Sequence, residues 1–417
     1  MIEQAMAARD DYILVLGCFD TKGDVFSFLR DCLLSQGSRV ITINTGIMGT
    51  TSLFPVDFES DMVALQAGAS LEVLRKKGDR GQAVEIMGKG AALLIARLLK
   101  EGGMRAAIGM GGGGGTYITL SAMQAIPLGI PKMCVTTMAA KDLSRQMGSK
   151  DITLMPSIVD LSGLNSISNL LISQAAAAVF AMASLNRTVA TASAKRIAIS
   201  MFGNTTACVE KCRELLEKQG YEVFAFHATG IGGKTMESLI REGCFDAVLD
   251  ITTTELADEL CGGILSAGPD RLTAAAQMGI PQVVVPGCLD MVNFAQWDTI
   301  PPTCQSRQLY SWAPDVTLMR TNKEENKTLG ESLAKKVNRS AVPAAILLPL
   351  KGISQIDVAG GVFYQPEIDQ VLFDSIKMHA AEHVPVVEIE AHINDEAFAQ
   401  QAVSTLLQVM EKHLVIN

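Results

Sequence analysis

Two segments in the first third of the chain combine residue types that bind anions in many proteins. The first is Asp20-Thr21-Lys22, which follows an apolar run and precedes a predicted helix. The second is a run of five glycines, Gly111 to Gly115, which Thr116 closes. Helix N-termini attract anions through their free N–H groups and dipole, and glycine lets a ligand come close to the backbone. We predict that both segments hold the phosphates of a nucleotide.

Thr45 and Thr136 extend this candidate site, because each stands at the end of another predicted strand. A lysine beside a threonine and an aspartate can also hold a phosphate together with hydrated magnesium, and Asp20 is the predicted metal contact. Two simpler interpretations stay open. Asp20 and Thr21 are ordinary helix-capping residues, and the glycine run can be a flexible turn. The run lacks the Gly-Lys-Ser/Thr of a P-loop and a clean dinucleotide fingerprint.

Six polar residues farther along the chain lie near the ends of predicted strands, and we predict that they form one small-molecule pocket. They are His227, Thr229, Thr253, Asp290, Asn293 and Lys351. Parallel strands bring their carboxyl ends to one edge of a sheet, where α/β proteins bind ligands.

Each of the six has an expected role. Lys351 is predicted to bind an anionic group of the substrate, and Asp290 or His227 to transfer a proton. Thr229, Thr253 and Asn293 are predicted to bind and orient the substrate. For His227, a simple hydrogen bond to a loop carbonyl is the alternative.

Two further patterns resemble metal sites without the residues that such sites need. His379, Glu382 and His383 have the spacing of an inverted zinc-peptidase motif. Only 34 residues follow His383, and Val384-Pro385 ends the helix, so an exposed histidine pair is expected instead. The nine cysteines are odd in number and contain no CxxC, which is typical of free thiols in a reducing compartment.

An internal repeat places these residues in two similar halves. YILVLGCFDT from Tyr12 and RIAISMFGNT from Arg196 are shifted by 184 residues, as are Thr-Gly-Ile at 45–47 and at 229–231. Gly-Ile-Pro recurs at 129–131 and 279–281, with a shift of 150. We predict an α/β protein of two Rossmann-like parallel-sheet halves facing a central cleft. Residues 1–190 form the nucleotide half, residues 195–417 form the half with the small-molecule pocket, and residues 186–195 link them.

Apolar runs and turn residues predict the individual elements. Predicted strands cover residues 12–17, 39–44, 105–110, 132–135, 196–201, 222–226, 246–251, 282–285 and 344–348. In the first half, predicted helices cover residues 25–36, 82–100 and 175–185. Residues 55–80 are predicted to be irregular, and their charged end, residues 75–80, to be a solvated face.

Composition limits the class of protein. A length of 417 residues suggests two or three domains at about 150 residues each. Aromatic residues make up only 5% of a chain that is 48% hydrophobic, so the cores must be aliphatic. A net charge of −9 without a basic cluster argues against a nucleic-acid partner. The absence of a long apolar run and of a leader segment predicts a cytoplasmic protein with no membrane contact.

The assembled motifs resemble one family over nearly the whole chain: the bacterial and fungal proteins related to the ATP-binding N-terminal domain of the tomato mosaic virus resistance protein. Besides the glycine run, the motifs are DTKG from Asp20, SIVDLSGLN from Ser157, FGNTT from Phe202, FHATGIGGKTME from Phe226, DITTTELADELCGGILSAGPDR from Asp250, PGCLDMVNF from Pro286 and PLKGISQID from Pro349. The resemblance implies two Rossmann-like halves, ATP with magnesium in the first half, and a homodimer.

The leading hypothesis is an ATP-binding, magnesium-dependent enzyme that acts on a small polar or anionic metabolite in the cleft between the halves. One alternative is a non-catalytic module that uses the nucleotide to present a surface to a partner protein. The other is an ATP-independent lyase or isomerase of a hydroxy acid.

Overall fold

The computed structural model describes residues 11–185 and 194–416, which belong to two compact units. Unit 1 is residues 11–185 and unit 2 is residues 194–416. Most of the predicted linker, residues 186–193, lies outside the described residues.

Unit 1 alternates strands and helices. Its strands are β1 (Tyr12–Gly17), β2 (Arg39–Asn44), β3 (Met104–Gly111), β4 (Lys132–Thr136) and β5 (Ile152–Pro156). Its helices are α1 (Phe19–Ser35), α2 (Ser60–Gln66), α3 (Leu71–Lys77), α4 (Arg80–Glu101), α5 (Gly113–Met123), α6 (Ser144–Met147) and α7 (Ser166–Ser184). The strands form one parallel sheet in the order β2-β1-β3-β4-β5.

Both faces of this sheet are buried, because successive side chains of a strand point to opposite faces. On β1, Leu14 and Leu16 pack with residues of α2 to α5 on one face. Ile13 and Val15 pack with residues of α1 and α7 on the other face. The continuous apolar run that predicted β1 is therefore the mark of a central strand covered on both sides.

Unit 2 contains a larger parallel sheet and a small antiparallel one. Its strands are β6 (Arg196–Met201), β7 (Glu222–His227), β8 (Ala247–Thr252), β9 (Gln282–Gly287), β10 (Met291–Phe294), β11 (Leu309–Ala313), β12 (Val316–Arg320), β13 (Ala344–Pro349) and β14 (Val386–Ile389). Its helices are α8 (Thr206–Glu217), α9 (Ile231–Arg241), α10 (Glu255–Cys261), α11 (Ala274–Met278), α12 (Lys323–Val337), α13 (Pro366–His379) and α14 (Glu396–Ile416). The strand orders are β14-β13-β9-β8-β6-β7 and β10-β12-β11.

The two large sheets share one topology. The strands of each sheet are counted here in chain order, with β10 to β12 of unit 2 left out as an insertion. In both sheets the first strand lies between the second and the third, and the fourth and fifth strands follow the third. This is the flavodoxin-like order, with its switch point between the first and third strands. The two Gly-Ile-Pro strings immediately precede β4 and β9. The prediction of an α/β fold with two parallel-sheet halves is confirmed, and the facing of the halves stays a prediction.

Three local predictions in unit 1 were wrong. The helix after β1 begins at Phe19 instead of Val25, because the Asn44 side chain caps it by accepting from the Phe19 N–H at 3.2 Å. The region 55–80 contains two short helices, α2 and α3. The glycine run is no loop: Gly111 ends β3, and Gly113 already begins α5.

Helix α7 is long and apolar enough to cross a membrane by length and composition. Ile172, Ala176 and Val179 of this helix are fully buried in the core of unit 1. An apolar helix of this kind is typical of a protein core, so its composition is weak evidence for a membrane.

Candidate functional site

A cavity of about 710 Å³ opens in unit 1 at the carboxyl ends of β1, β2 and β3. This position is the topological switch point, where flavodoxin-like sheets bind ligands. The cavity is lined by Cys18, Asp20, Thr21, Lys22, Thr45, Gly46, Ile47, Met48, Leu74, Arg75, Gly78, Asp79, Arg80, Ala83, Val84, Met87, Met110, Gly111, Gly112, Gly113, Gly114, Gly115 and Ile118. The structure therefore brings Asp20, Thr21, Lys22, Thr45 and the glycine run to one place.

The N-terminus of α5 faces this cavity without a cap. Its N-cap residue is Gly112, so no side chain accepts from the first turn. The first helical bond runs from the Thr116 N–H to the Gly112 carbonyl at 2.7 Å. The N–H groups of Gly113, Gly114 and Gly115 precede that bond, and the described chain supplies no acceptor for them. Three backbone donors are thus left for a ligand.

The glycines of this run differ in whether the fold itself requires them. A Cβ on Gly111 would lie 2.7 Å from the Gly115 carbonyl carbon, so the backbone leaves no room for one. A Cβ on Gly113 would meet no atom within 4 Å, and one on Gly114 would lie 3.4 Å from Val84. None of the run has a positive φ angle. Packing and backbone conformation therefore explain Gly111 but leave the glycines of the first turn of α5 unexplained.

Two predicted contacts lie beneath the cavity wall instead of lining it. Thr116 and Thr136 are buried, and their hydroxyl oxygens are 2.6 Å apart. The Met138 N–H donates to the Thr136 hydroxyl oxygen, and the Thr116 hydroxyl donates to the Gly111 carbonyl. These bonds fix the turn between β3 and α5, so both threonines support the site from behind.

Asp20 lines the cavity and carries one unpaired, buried oxygen. Its Oδ2 accepts from the Met48 N–H at 2.9 Å, whereas its buried Oδ1 has no hydrogen-bond partner. A Cβ on Gly46 would lie 2.2 Å from that Oδ1, so glycine at 46 leaves the room that the carboxylate occupies. Lys22 interrupts the helical geometry of α1 and donates from Nζ to the Leu161 carbonyl at 2.8 Å.

Cys18 and Thr45 form the floor beside Asp20. The thiol of Cys18 is 3.7 Å from the Thr45 hydroxyl, and burial raises the pKa of that thiol. The Thr45 N–H donates to the Gly17 carbonyl at 2.8 Å, which holds the ends of β1 and β2 together. Cys18 is a lining residue that the sequence did not predict.

Two arginines of the cavity were also missed, because their charged segment was expected to be a solvated face. Arg80, the first residue of α4, places Nη2 3.7 Å from the position that a Gly114 Cβ would take. Arg75 of α3 donates from Nε to the Ile47 carbonyl. Both side chains are exposed, yet both line the cavity. The local sequence carries no signal for Arg80, because only the packing of α4 beside α5 brings its guanidinium to the glycine run.

An apolar wall completes the cavity. It consists of Leu74 of α3, Val84 and Met87 of α4, and Ile118 of α5. One side can therefore accept a flat, weakly polar group, while the other offers N–H donors and guanidinium groups.

In unit 2, the protein's own side chains fill the carboxyl edge of the large sheet, which corresponds to the cavity edge of unit 1. Glu255 accepts from the N–H groups of Gly230 and Gly233, at 2.7 and 3.0 Å, where α9 begins. Its other oxygen accepts from Arg271 Nε at 2.6 Å, and Arg271 also binds Asp250 through two nitrogens, at 2.5 and 2.7 Å. An internal carboxylate thus occupies the position where a ligand anion could bind, and burial raises the pKa of Glu255 against the opposing charge of Arg271.

The six residues predicted to share a pocket in unit 2 form no hydrogen bond with one another in the described structure, apart from the N–H and hydroxyl of Thr229, which donate to the His227 carbonyl at 2.8 and 3.3 Å. Thr253 donates to the Val285 carbonyl, and Asn293 donates to Asp258. The strand order explains the spread, because β7 and β13 lie four positions apart, roughly 19 Å at the usual spacing.

The environments of these six residues differ strongly. His227 is exposed beside Phe202, with ring centroids 6.5 Å apart, and Lys351 is exposed. Asp290 is fully buried and accepts from the Ser354 hydroxyl at 2.7 Å. Burial and the neighbouring Asp357 raise the pKa of Asp290 to about 7. Convergence of the six residues on one pocket stays a prediction.

The expected exposed histidine pair is found only in part, because His383 is exposed beyond the end of α13 whereas His379 is half-buried. His379 ends α13 and contacts the Ser375 carbonyl through Nδ1 at 2.8 Å. No group of three or more His, Cys, Asp or Glu side chains in the described ranges is arranged to hold a metal ion. All nine cysteines are free thiols.

Comparison with known proteins identifies relatives along the whole described chain. Family models for the N-terminal and C-terminal domains of an uncharacterised protein family, UPF0261, match residues 11–188 and 194–410. A UPF0261 protein of Clostridium tetani is 46% identical over 401 residues, covering 96% of this chain and 99% of the relative. One of Rhizobium meliloti is 39% identical over 395 residues, covering 94% and 97%. The ToMV resistance protein Tm-1 of Solanum lycopersicum is 35% identical over 421 residues, covering 96% of this chain but 56% of the tomato protein.

Proposed function

The chain belongs to the UPF0261 family, and we propose that its unit 1 binds ATP with magnesium, with the phosphates against the N-terminus of α5. The observation that carries this proposal is the set of glycines in the first turn of α5. Glycine in a helix costs about 0.5–1 kcal/mol relative to alanine. Neither a positive φ angle nor close packing requires glycine at positions 113 and 114. A phosphate that binds the three free N–H groups at close range would offset the free-energy cost of these glycines.

The charges around the glycine run support an anion. The guanidinium of Arg80 lies beside Gly114, and the ammonium of Lys22 donates only one of its hydrogens to the described part of the chain. Arginine binds phosphate through paired N–H donors, so Arg80 is well placed to hold the phosphates against α5.

Asp20 fits a magnesium ion that accompanies the phosphates. Its buried Oδ1 has no partner, and a carboxylate oxygen is the ligand type that Mg²⁺ prefers. Since no further carboxylate joins Asp20 in a metal cluster of the described residues, phosphate oxygens and water would supply the other ligands. The ion would neutralise charge on the phosphates.

The size and the apolar wall of the cavity favour a nucleotide over a small inorganic anion. A volume of about 710 Å³ lies within the usual range of roughly 300–1,000 Å³ for small-molecule sites. Leu74, Val84, Met87 and Ile118 offer an apolar surface for the base. Whether the nucleotide serves an enzyme acting on a small metabolite or a protein-interaction module stays a prediction, as does the lyase or isomerase alternative.

Isothermal titration of the full chain with MgATP tests the proposal. We expect one site per chain, and about tenfold weaker binding for Arg80→Ala, because a charged hydrogen bond contributes about 1.5–3 kcal/mol. Inorganic phosphate and AMP serve as controls for the contributions of the phosphates and the base. No binding at millimolar MgATP would overturn the proposal, and phosphate release during incubation separates hydrolysis from binding.

A further inference from the structure

Three of the five buried side-chain oxygens that lack a hydrogen-bond partner among the described residues of unit 2 belong to residues near Ser354. They are the Oδ1 atoms of Asn204, Asp290 and Asp357, and each of these residues is at most 1% exposed. Buried oxygens nearly always bind a donor or a cation, because losing water without replacement is costly.

The three residues surround one serine. The Ser354 hydroxyl donates to Asp290 Oδ2 at 2.7 Å, and the Asp357 N–H donates to the Ser354 carbonyl at 3.0 Å. The Asn204 carbonyl accepts from Gln355, the residue after Ser354, at 3.0 Å. The amide of Asn204 also contacts the sulfur of Met291, the residue after Asp290, at 3.7 Å. Asn204 therefore connects the segments that carry the two carboxylates, through its backbone carbonyl on one side and its amide nitrogen on the other.

The buried charges near Ser354 do not balance. Asp290, Asp357 and Asp369 interact electrostatically with one another and with a single guanidinium, that of Arg320. Arg320 forms its ion pair with Asp369, at 2.6 Å. Three ionised carboxylates facing one guanidinium leave two negative charges, so the cluster needs either protons or a cation to compensate them.

The neighbouring titratable groups supply no positive charge. His392 accepts the Asn394 N–H at Nδ1, and its Nε2 bonds to the Ser354 carbonyl at 2.8 Å. Lys351 is exposed. Cys288 is fully buried and carries no positive charge.

We propose that unit 2 binds one hard divalent cation, of the class of Mg²⁺, Mn²⁺ and Ca²⁺, through the free oxygens of Asn204, Asp290 and Asp357. The donor set contains only oxygen, which suits these ions. The two positive charges of such an ion balance the two negative charges that Arg320 leaves uncompensated in the cluster. A proton shared by the carboxylates would satisfy them but would leave the amide oxygen of Asn204 without a donor. This site is separate from the nucleotide-associated magnesium proposed for unit 1 and does not depend on it.

The test is metal content together with metal-dependent melting, both without nucleotide. Full-length protein purified without chelator should hold about one equivalent of Mg²⁺, Mn²⁺ or Ca²⁺ by elemental mass spectrometry. After chelator treatment under partly denaturing conditions and refolding, adding back the same metal should raise the melting temperature of unit 2.

Three variants locate the effect. Asp357→Asn removes the charge of a carboxylate that has a free oxygen. We expect this variant to bind no metal ion and to show no metal-dependent rise in melting temperature. Asp369→Asn also removes one negative charge from the cluster, but Asp369 has no free oxygen. Asp20→Asn removes the carboxylate in unit 1. Both variants should retain the metal-dependent rise in melting temperature.

Wild-type protein without bound metal and without a melting shift for any of the three ions would overturn the proposal, and protons would then neutralise the cluster. A shift that Asp20→Asn abolishes and Asp357→Asn retains would overturn it as well, because the ion would then bind unit 1.

Discussion

Replacing Gly114 by alanine is expected to stabilise the protein and to impair its ligand binding. Gly114 is the second residue of α5, and its added Cβ would make ordinary contacts, 3.4 Å to Val84 and 3.7 Å to Arg80. The substitution should raise the free energy of unfolding of unit 1 by about 0.5–1 kcal/mol, since alanine favours the helix. The same methyl group occupies space that a phosphate needs beside the free N–H groups, so MgATP should bind at least about tenfold more weakly.

Two further substitutions separate these effects. Gly81 is the second residue of α4 and does not line the cavity, so Gly81→Ala should give a similar gain in stability with unchanged binding. Gly111→Ala would force a Cβ to within 2.7 Å of the Gly115 backbone, and should cost about 1–3 kcal/mol of stability.

Calorimetry suits the stability measurement, because both tryptophans, Trp297 and Trp312, lie in unit 2 and their fluorescence does not report on unit 1. A change of 1 kcal/mol should move the melting transition of unit 1 by about 2–4 °C. Titration with MgATP gives the affinity of each variant. Unchanged affinity in Gly114→Ala, or a loss of stability there equal to that of Gly111→Ala, would refute the reasoning.

Three other predictions follow from the contacts described above. Saturating MgATP should protect the Cys18 thiol, which lines the cavity, from alkylation at about pH 9, as measured by peptide mass spectrometry; an equal rate with and without nucleotide would contradict the assigned cavity. Arg271→Met leaves buried carboxylates without their cation and should cost about 3–5 kcal/mol of unit 2 stability in urea, followed by tryptophan fluorescence; a loss below about 1 kcal/mol would mean that the network is not energetically important. Burial, against hydrogen bonds from Asn293, raises the pKa of Asp258 to about 7, above its unfolded value of about 3.9. Because the folded state then holds a proton that the unfolded state has released, stability should fall as pH rises from about 4 to about 7. Asp258→Asn should lessen that slope in denaturant titrations at a series of pH values, and an identical slope would place the proton elsewhere.

The strands were predictable because central parallel strands carry a continuous apolar signal. β1 and β2 begin and end where the apolar runs do, since both faces of the sheet are buried. Helix α3 was missed because Leu74 is its single buried residue, which leaves no apolar period to read. The insertion β10 to β12 was missed because its strands are short and pair only with one another.

The candidate site in unit 1 was predictable in part, because glycine runs and Asp-Thr-Lys segments carry their chemistry locally. Arg80 was not predictable, since only the packing of α4 beside α5 brings its guanidinium to Gly114. In unit 2, the prediction from strand ends did not consider the order of the strands across the sheet. His227 ends β7 and Lys351 follows β13, at well-separated positions of the sheet, whereas Ser354 and Asp357 lie close to Asp290.

Amide hydrogen exchange of the segment that contains the glycine run tests the central claim most directly. The N–H groups of Gly113, Gly114 and Gly115 have no acceptor in the described chain, so they should exchange within seconds in the free protein. If phosphates bind at the N-terminus of α5, saturating MgATP should slow exchange in peptides covering residues 110–118, and Gly114→Ala should weaken that protection. MgATP that binds the chain while leaving exchange in this segment unchanged would contradict the account.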